Sequence, residues 1–222
     1  RHITLALEPE PDCLWDESGQ IIHFFQNELL QEGVPRVAAQ RHSTRNHAES
    51  ILLRHLGVCL DTCHQSVLFE APAEAVASLA RHGIAVPKIQ VSAAPIFATS
   101  DAGLAQARAF VDPCYLHQSC LASTAGRRRF PDLPEAIEAA TAVAGEGELR
   151  THFHIPLVVD GGPGFRSSRR DLDPRFWRLV AAGVAAHVEV ETYTFGVLPP
   201  ELRGLPVDES IAAELAWALR QL

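Results

Sequence analysis

The chain has 222 residues, 47% hydrophobic and 21% charged, with 27 acidic against 19 basic residues and a formal net charge of −8. That composition supports one sizeable core and excludes disorder as the main state. The acidic balance argues against a nucleic-acid partner, and the absence of any run of about 18 apolar residues argues against a membrane span.

The chain has no methionine and opens directly into the apolar run Ile3-Thr4-Leu5-Ala6-Leu7, so it reads as the later part of a longer protein. Residues 3–8 form a buried strand ended by Pro9-Glu10-Pro11. Helical periodicity follows over 17–32, with Ile21, Phe24, Phe25 and Leu29 on one face, and again over 46–55. Gly57 opens a second strand, Val58-Cys59-Leu60, that ends in Asp61. The spacing then predicts a helix over 72–82, with Pro72 in its first turn and Gly83 as its stop, and a third strand over 87–92. This β-α-β-α-β order implies parallel strands joined by helical crossovers.

Residues 93–148 break the rhythm with four prolines, an Arg127-Arg128-Arg129 run read as a solvated loop, and a helix near 134–144. They are treated as an insertion within a single domain spanning 1–222. The rhythm is expected to resume with a strand from Leu149 to Val159, a turn at Gly161–Gly164, and a helix opened by Asp173-Pro174. A last strand over 188–192 leads to a closing helix over 208–221, capped by Asp208, with Ile211, Leu215 and Leu219 facing inward.

Five cysteines without a CxxC pair suggest small buried hydrophobes in a reducing, cytoplasmic compartment rather than a disulfide framework. The strand ends carry the chemistry. Glu8, Asp61 with His64, Gln90, the pair His152 and His154, and the pair Glu189 and Glu191 all lie at or near the end of a strand. Parallel strands gather their C-terminal ends on one face, so these residues converge. By the period of two, His152 shares a face with His154, and Glu189 with Glu191. Paired carboxylates repel unless a cation or proton lies between them. The donor mix suits a divalent Mn, Zn or Fe ion. Arg166, Arg169 and His117 are candidates for gripping a small-molecule substrate, against ordinary solvated-loop and packing roles.

The words ALEPEP (6–11), GVCLDTCH (57–64), YLHQ (115–118), HFHIP (152–156) and VEVETYTF (188–195) resemble the xylose isomerase-like TIM-barrel superfamily, and within it the EboE-type metabolite traffic proteins. The resemblance implies a (β/α)8 barrel of which this chain supplies strands five to eight plus an insertion. It implies that Glu8, Asp61, His64 and Glu191 are metal ligands, and that Glu8 and Glu191 are also the catalytic proton-transfer pair. Gln90 stands where the superfamily usually has a histidine. His152 and His154 match the later D-x-H pair of the endonuclease IV branch, with His152 in place of its aspartate. The implied activity is isomerase or epimerase chemistry on a polyhydroxylated small molecule. The alternatives are non-catalytic metabolite handling and, against the acidic charge, phosphodiester cleavage. A half barrel with two open sheet edges is expected to behave poorly in isolation.

Overall fold

A computed structural model describes residues 2–143 and 145–222. It is a mixed α/β structure built on two sheets. Four short strands, β1 (Leu5–Leu7), β2 (Leu56–Asp61), β3 (Lys88–Val91) and β10 (His187–Val190), form a parallel sheet in that order. Between β1 and β2 run α1 (Ser18–His23), a wide-turned π segment (Phe24–Gly33), α2 (Val34–Arg41) and α3 (Arg45–His55). Between β2 and β3 lie α4 (Thr62–Val67) and α5 (Pro72–Arg81).

Local chemistry explains several of these boundaries. Pro72 occupies the first turn of α5, where its missing N–H costs nothing. Gly83 takes the left-handed conformation (φ +69°) that ends it, while Ile84 N–H reaches back to the Leu79 carbonyl at 3.0 Å. Gly57 lets β2 pass close beside the next connection: a β-carbon there would come 2.6 Å from the Pro87 ring.

The second sheet is where the structure departs furthest from the sequence reading. It is antiparallel, ordered β6 (Gly126–Phe130), β5 (Ser119–Ser123), β7 (Glu148–Thr151), β4 (Pro95–Ala98), β9 (Phe165–Ser167) and β8 (Gly161–Gly162). The excursion from the parallel sheet therefore runs to Ser167. The expected strand from Leu149 to Val159 is ladder-paired only to Thr151, and it pairs antiparallel with β4 and β5. The three arginines are not a loop but the exposed strand β6. Arg129 reaches Asp16 at 2.6 Å, and Arg127 reaches the Leu68 carbonyl, so they tie this sheet to the helical layer.

Helices α6 (Asp101–Arg108) and α7 (Leu133–Thr141) pack on the antiparallel sheet. After β9, α8 (Pro174–Ala181) leads back to β10, with the Asp173 side chain capping the Phe176 N–H at 2.8 Å as the Asp-Pro pair predicts. One hydrophobic core runs under both sheets, joining Leu60, Ile89 and Val91 to Phe97, Leu121, Phe153 and Phe176.

The closing helix α9 (Val207–Leu219) is rotated from expectation. Pro206, not Asp208, occupies its cap, and its buried residues are Ser210 and Glu214. Ile211, Leu215 and Leu219 face outward, 41%, 45% and 67% exposed. The reason is polar: the Glu214 carboxylate accepts from the Leu157 N–H and the Thr192 hydroxyl, both at 2.8 Å, and that anchor fixes which face points in. The apolar stripe adjoins Val188 on the open edge of β10, and Ile3 and Leu5 are exposed at the opposite edge. The four parallel strands do not close on themselves: β1 and β10 are both edges. No helix among the described residues is long and apolar enough to cross a membrane.

Candidate metal centre

Each parallel strand delivers a polar side chain to the same end of the sheet. Glu8 follows β1, Asp61 ends β2, Gln90 lies in β3 opposite Asp61, and Glu191 follows β10. Glu8, Asp61 and Glu191, far apart in sequence, offer carboxylate oxygens within 4.8 Å of one another.

Asp61 is the fixed member. Its Oδ1 accepts from the Cys63 N–H (2.6 Å), the His64 N–H (3.1 Å) and the Ser92 hydroxyl (2.7 Å), which caps α4 and locks the rotamer. Its Oδ2 is buried and has no hydrogen-bond partner. Burial works to raise this carboxyl, but the neighbouring imidazoles of His64 and His154 and the hydrogen bond from Ser92 outweigh it and hold the group ionised. Glu191 goes the opposite way, pushed up to about 8 by burial first and then by Asp61 and Glu8. Glu8 is also raised, by burial and by Asp61, although it opens to solvent at the rim. Three carboxylates at this spacing hold a proton or a cation between them. An orphaned buried oxygen beside two acidic partners fits a divalent ion with oxygen ligands.

Gln90 is used differently from the expectation that it ligates. Its amide N–H donates to Glu191 and its carbonyl oxygen accepts from the Cys59 thiol, so both ends are committed and it positions Glu191. Glu189, on the same side of β10 as Glu191 by the strand's period of two, pairs with Lys88 at 2.5 Å, which supplies the cation for that carboxylate.

The histidines arrive from the other sheet. Beyond β7 the segment 152–156 is extended, with Phe153 and Ile155 buried in the core and His152 and His154 turned to the mouth, their rings 5.4 Å apart. Phe153 is locked edge-on against Phe110 at 5.2 Å, within a cluster that includes Phe97 and Phe165. The period-of-two reading thus gives the right face, although the segment is no ladder strand. His152 meets His64 ring to ring, the two Nε2 atoms 3.1 Å apart. His154 Nδ1 donates to the Glu191 carbonyl at 2.8 Å, leaving its Nε2 buried, unpartnered and 3.9 Å from Asp61 Oδ2. Burial holds both His152 and His154 below the usual imidazole range, the neutral form a ligand needs.

Three expected substrate groups are not at this mouth in a free state. Arg166 pairs with Glu148 at 2.5 Å. Arg169 bonds Asp160 (3.1 Å) and the Leu157 carbonyl (2.8 Å) and lies over the Trp217 ring. His117 is buried between Asp112 (2.7 Å) and Asp132 (3.4 Å) and stacks on Phe153. In each case a carboxylate already lies beside the group.

Two residues escaped the sequence reading. Glu10 offers an oxygen within 4.8 Å of ligand atoms of His64 and His152, and Cys63 does so for His152 and His154. The second Glu of the EPEP word was the available signal for the first. Nothing in spacing marked Cys63 apart from the two other buried thiols, Cys59 and Cys120; Cys13 and Cys114 are exposed. These buried His, Cys and Asp groups, with the more open Glu8, Glu10 and Glu191, could hold a metal. No protein-family profile, curated protein or solved structure matches this chain.

Proposed function

We propose that the chain is the metal-bearing arc of a (β/α)8 barrel of the xylose isomerase-like kind, as its likeness to the EboE-type metabolite traffic proteins implies, and that it acts on a polyhydroxylated small molecule by proton transfer. The observation that carries this reading is the convergence of Glu8, Asp61 and Glu191 from the ends of three parallel strands. The exposed stripe of α9 and the open edges at β1 and β10 support completion of the barrel by further β/α units.

In this reading Glu8, Asp61 and Glu191 hold one divalent ion. When bound, such an ion polarises an adjacent carbonyl and hydroxyl of the substrate. Glu191 gives up to the ion the proton it keeps to about pH 8 in the ion's absence, so it enters proton transfer as a carboxylate that takes a proton from the substrate and then returns it. Glu8, at the open rim, is placed to accept one from a substrate carbon. Asp61 stays ionised and anchored throughout. The engagement of both ends of Gln90 favours a second reading, in which the site binds a metabolite without turning it over.

The test is solvent exchange. Chain loaded with Mn²⁺ is incubated in D₂O with a panel of aldoses, ketoses and their phosphates, and deuterium at carbon is read by mass spectrometry. Catalysis gives incorporation that Glu191→Gln and Glu8→Gln abolish. Binding without incorporation supports handling, and a chain that takes up no divalent metal overturns both.

A further inference from the structure

We propose a second, thiolate-bearing metal position beside the carboxylate one, formed by Cys63, His152 and His154 and selective for Zn²⁺ over Mn²⁺. It uses none of the three carboxylates and stands or falls separately from the reading above.

The geometry argues for it in three steps. First, the three side chains are all buried (0%, 6% and 1% exposed), and each offers one ligand atom within 4.8 Å of the others. Second, both rings have their proton position fixed. His154 Nδ1 faces the Glu191 carbonyl at 2.8 Å, and His152 Nδ1 faces the Gln118 Oε1 at 3.0 Å. An oxygen acceptor requires an N–H there, so the lone pair of each ring lies at Nε2. Metal-ligating histidines are oriented in this way by an acceptor behind the ring.

Third, the lone pair of His154 is left without a donor, and that of His152 meets only another imidazole nitrogen. His154 Nε2 has no hydrogen-bond partner. His152 Nε2 meets His64 Nε2 at 3.1 Å, while His64 Nδ1 is itself committed to the Pro9 carbonyl at 3.0 Å. If either ring moved its proton to Nε2 to bridge the pair, its Nδ1 would turn a lone pair onto an oxygen. Buried acceptors facing one another are stabilised by a cation.

The backbone of Cys63 is held by the Asp61 carboxylate and the Ser92 hydroxyl, so its thiol is presented from the first turn of α4 rather than from a mobile loop. Burial, and then Asp61, push that thiol well up. It therefore stays protonated until a cation arrives: the S–H proton leaves to solvent as the sulfur–metal bond forms. One thiolate and two neutral imidazoles form a soft, borderline donor set that favours zinc, whereas the neighbouring three carboxylates suit a harder ion.

Cobalt(II) reports the difference optically. Demetallated full chain is titrated with Co²⁺. The expected result is a near-ultraviolet thiolate-to-cobalt charge-transfer band that saturates at one equivalent and is displaced by Zn²⁺. Cys63→Ser and His154→Ala abolish it, while Glu8→Gln and the exposed-thiol variants Cys13→Ser and Cys114→Ser keep it. Circular dichroism checks each fold. If Cys63→Ser does not fold, X-ray absorption of the Zn²⁺-loaded wild-type chain, with one sulfur in the zinc shell, reads the same contact. No charge-transfer band, a band that survives Cys63→Ser, or a zinc shell without sulfur overturns the proposal. Mn²⁺ binding followed by electron paramagnetic resonance reports the carboxylate position independently, so loss of one reading leaves the other measurable.

Discussion

Replacing Asp61 with Asn separates a structural role from a cation-holding one, because the two oxygens of this carboxylate do different work. Oδ1 accepts three hydrogen bonds and caps α4, and an Asn Oδ1 can accept the same three. Oδ2 is buried without a partner. An unsatisfied buried acceptor costs about 1–3 kcal/mol, and the amide that replaces it brings a donor toward His154 Nε2. At pH 8, where burial keeps His154 neutral, the metal-free variant is therefore expected to be as stable as wild type or about 1 kcal/mol more so. For a chain of this size that is a rise of about 2–4 °C in Tm. The ion-dependent effect has the opposite sign. Mn²⁺ at about 100 times its Kd stabilises the wild-type chain by ~2.7 kcal/mol, or about 5–11 °C, and Asp61→Asn should lose most of that shift. Differential scanning calorimetry with and without Mn²⁺ measures both. A metal-free loss of more than about 2 kcal/mol would make Asp61 a purely structural cap. An undiminished Mn²⁺ shift would remove it from the cation site.

Binding at the carboxylate position should also depend on pH, since Glu191 carries a proton up to about pH 8 that the ion must displace. Calorimetric titration in two buffers of different ionisation enthalpy should show proton release on Mn²⁺ binding at pH 7 that fades by pH 9; no release at pH 7 contradicts the assignment. Glu214 is raised by burial, against the bonds from Leu157 and Thr192. A raised carboxyl gives its full stability below its unfolded value and loses it as pH rises through the folded one. Wild-type urea midpoints should thus decline relative to Glu214→Gln between pH 5 and 8, and parallel profiles would refute the shift. Leu215→Glu, on the exposed face of α9, should change the stability of the chain by no more than ~0.5 kcal/mol while reducing self-association in sedimentation velocity. A monodisperse wild-type monomer would show that the stripe drives no association.

Much of the parallel layer was legible in the sequence. Short apolar runs ended by Glu8, Asp61 and Glu191 and separated by helical periodicity encode strands, crossovers and the common direction of their ends, since these depend on local pattern and on the handedness of β/α connections. The helix limits at Pro72, Gly83 and Asp173 were equally local, because a missing N–H, a left-handed φ and a side-chain cap act within one turn. What the sequence could not decide was partner choice. The run from Leu149 can pair parallel or antiparallel with the same hydrophobic pattern, and only β4 and β5 settle that it joins the second sheet. The rotation of α9 likewise rests on two bonds to Glu214 from residues 57 and 22 positions away, which outweigh the helix's own apolar periodicity. Arg166, Arg169 and His117 were plausible anion grips until folding brought carboxylates to each. The opening composition described one acidic, core-forming chain. Tertiary structure divided it into a parallel sheet that supplies the carboxylates and His64 and an antiparallel sheet whose exit segment supplies His152 and His154, because side chains so distant in sequence meet only when both sheets pack on one core.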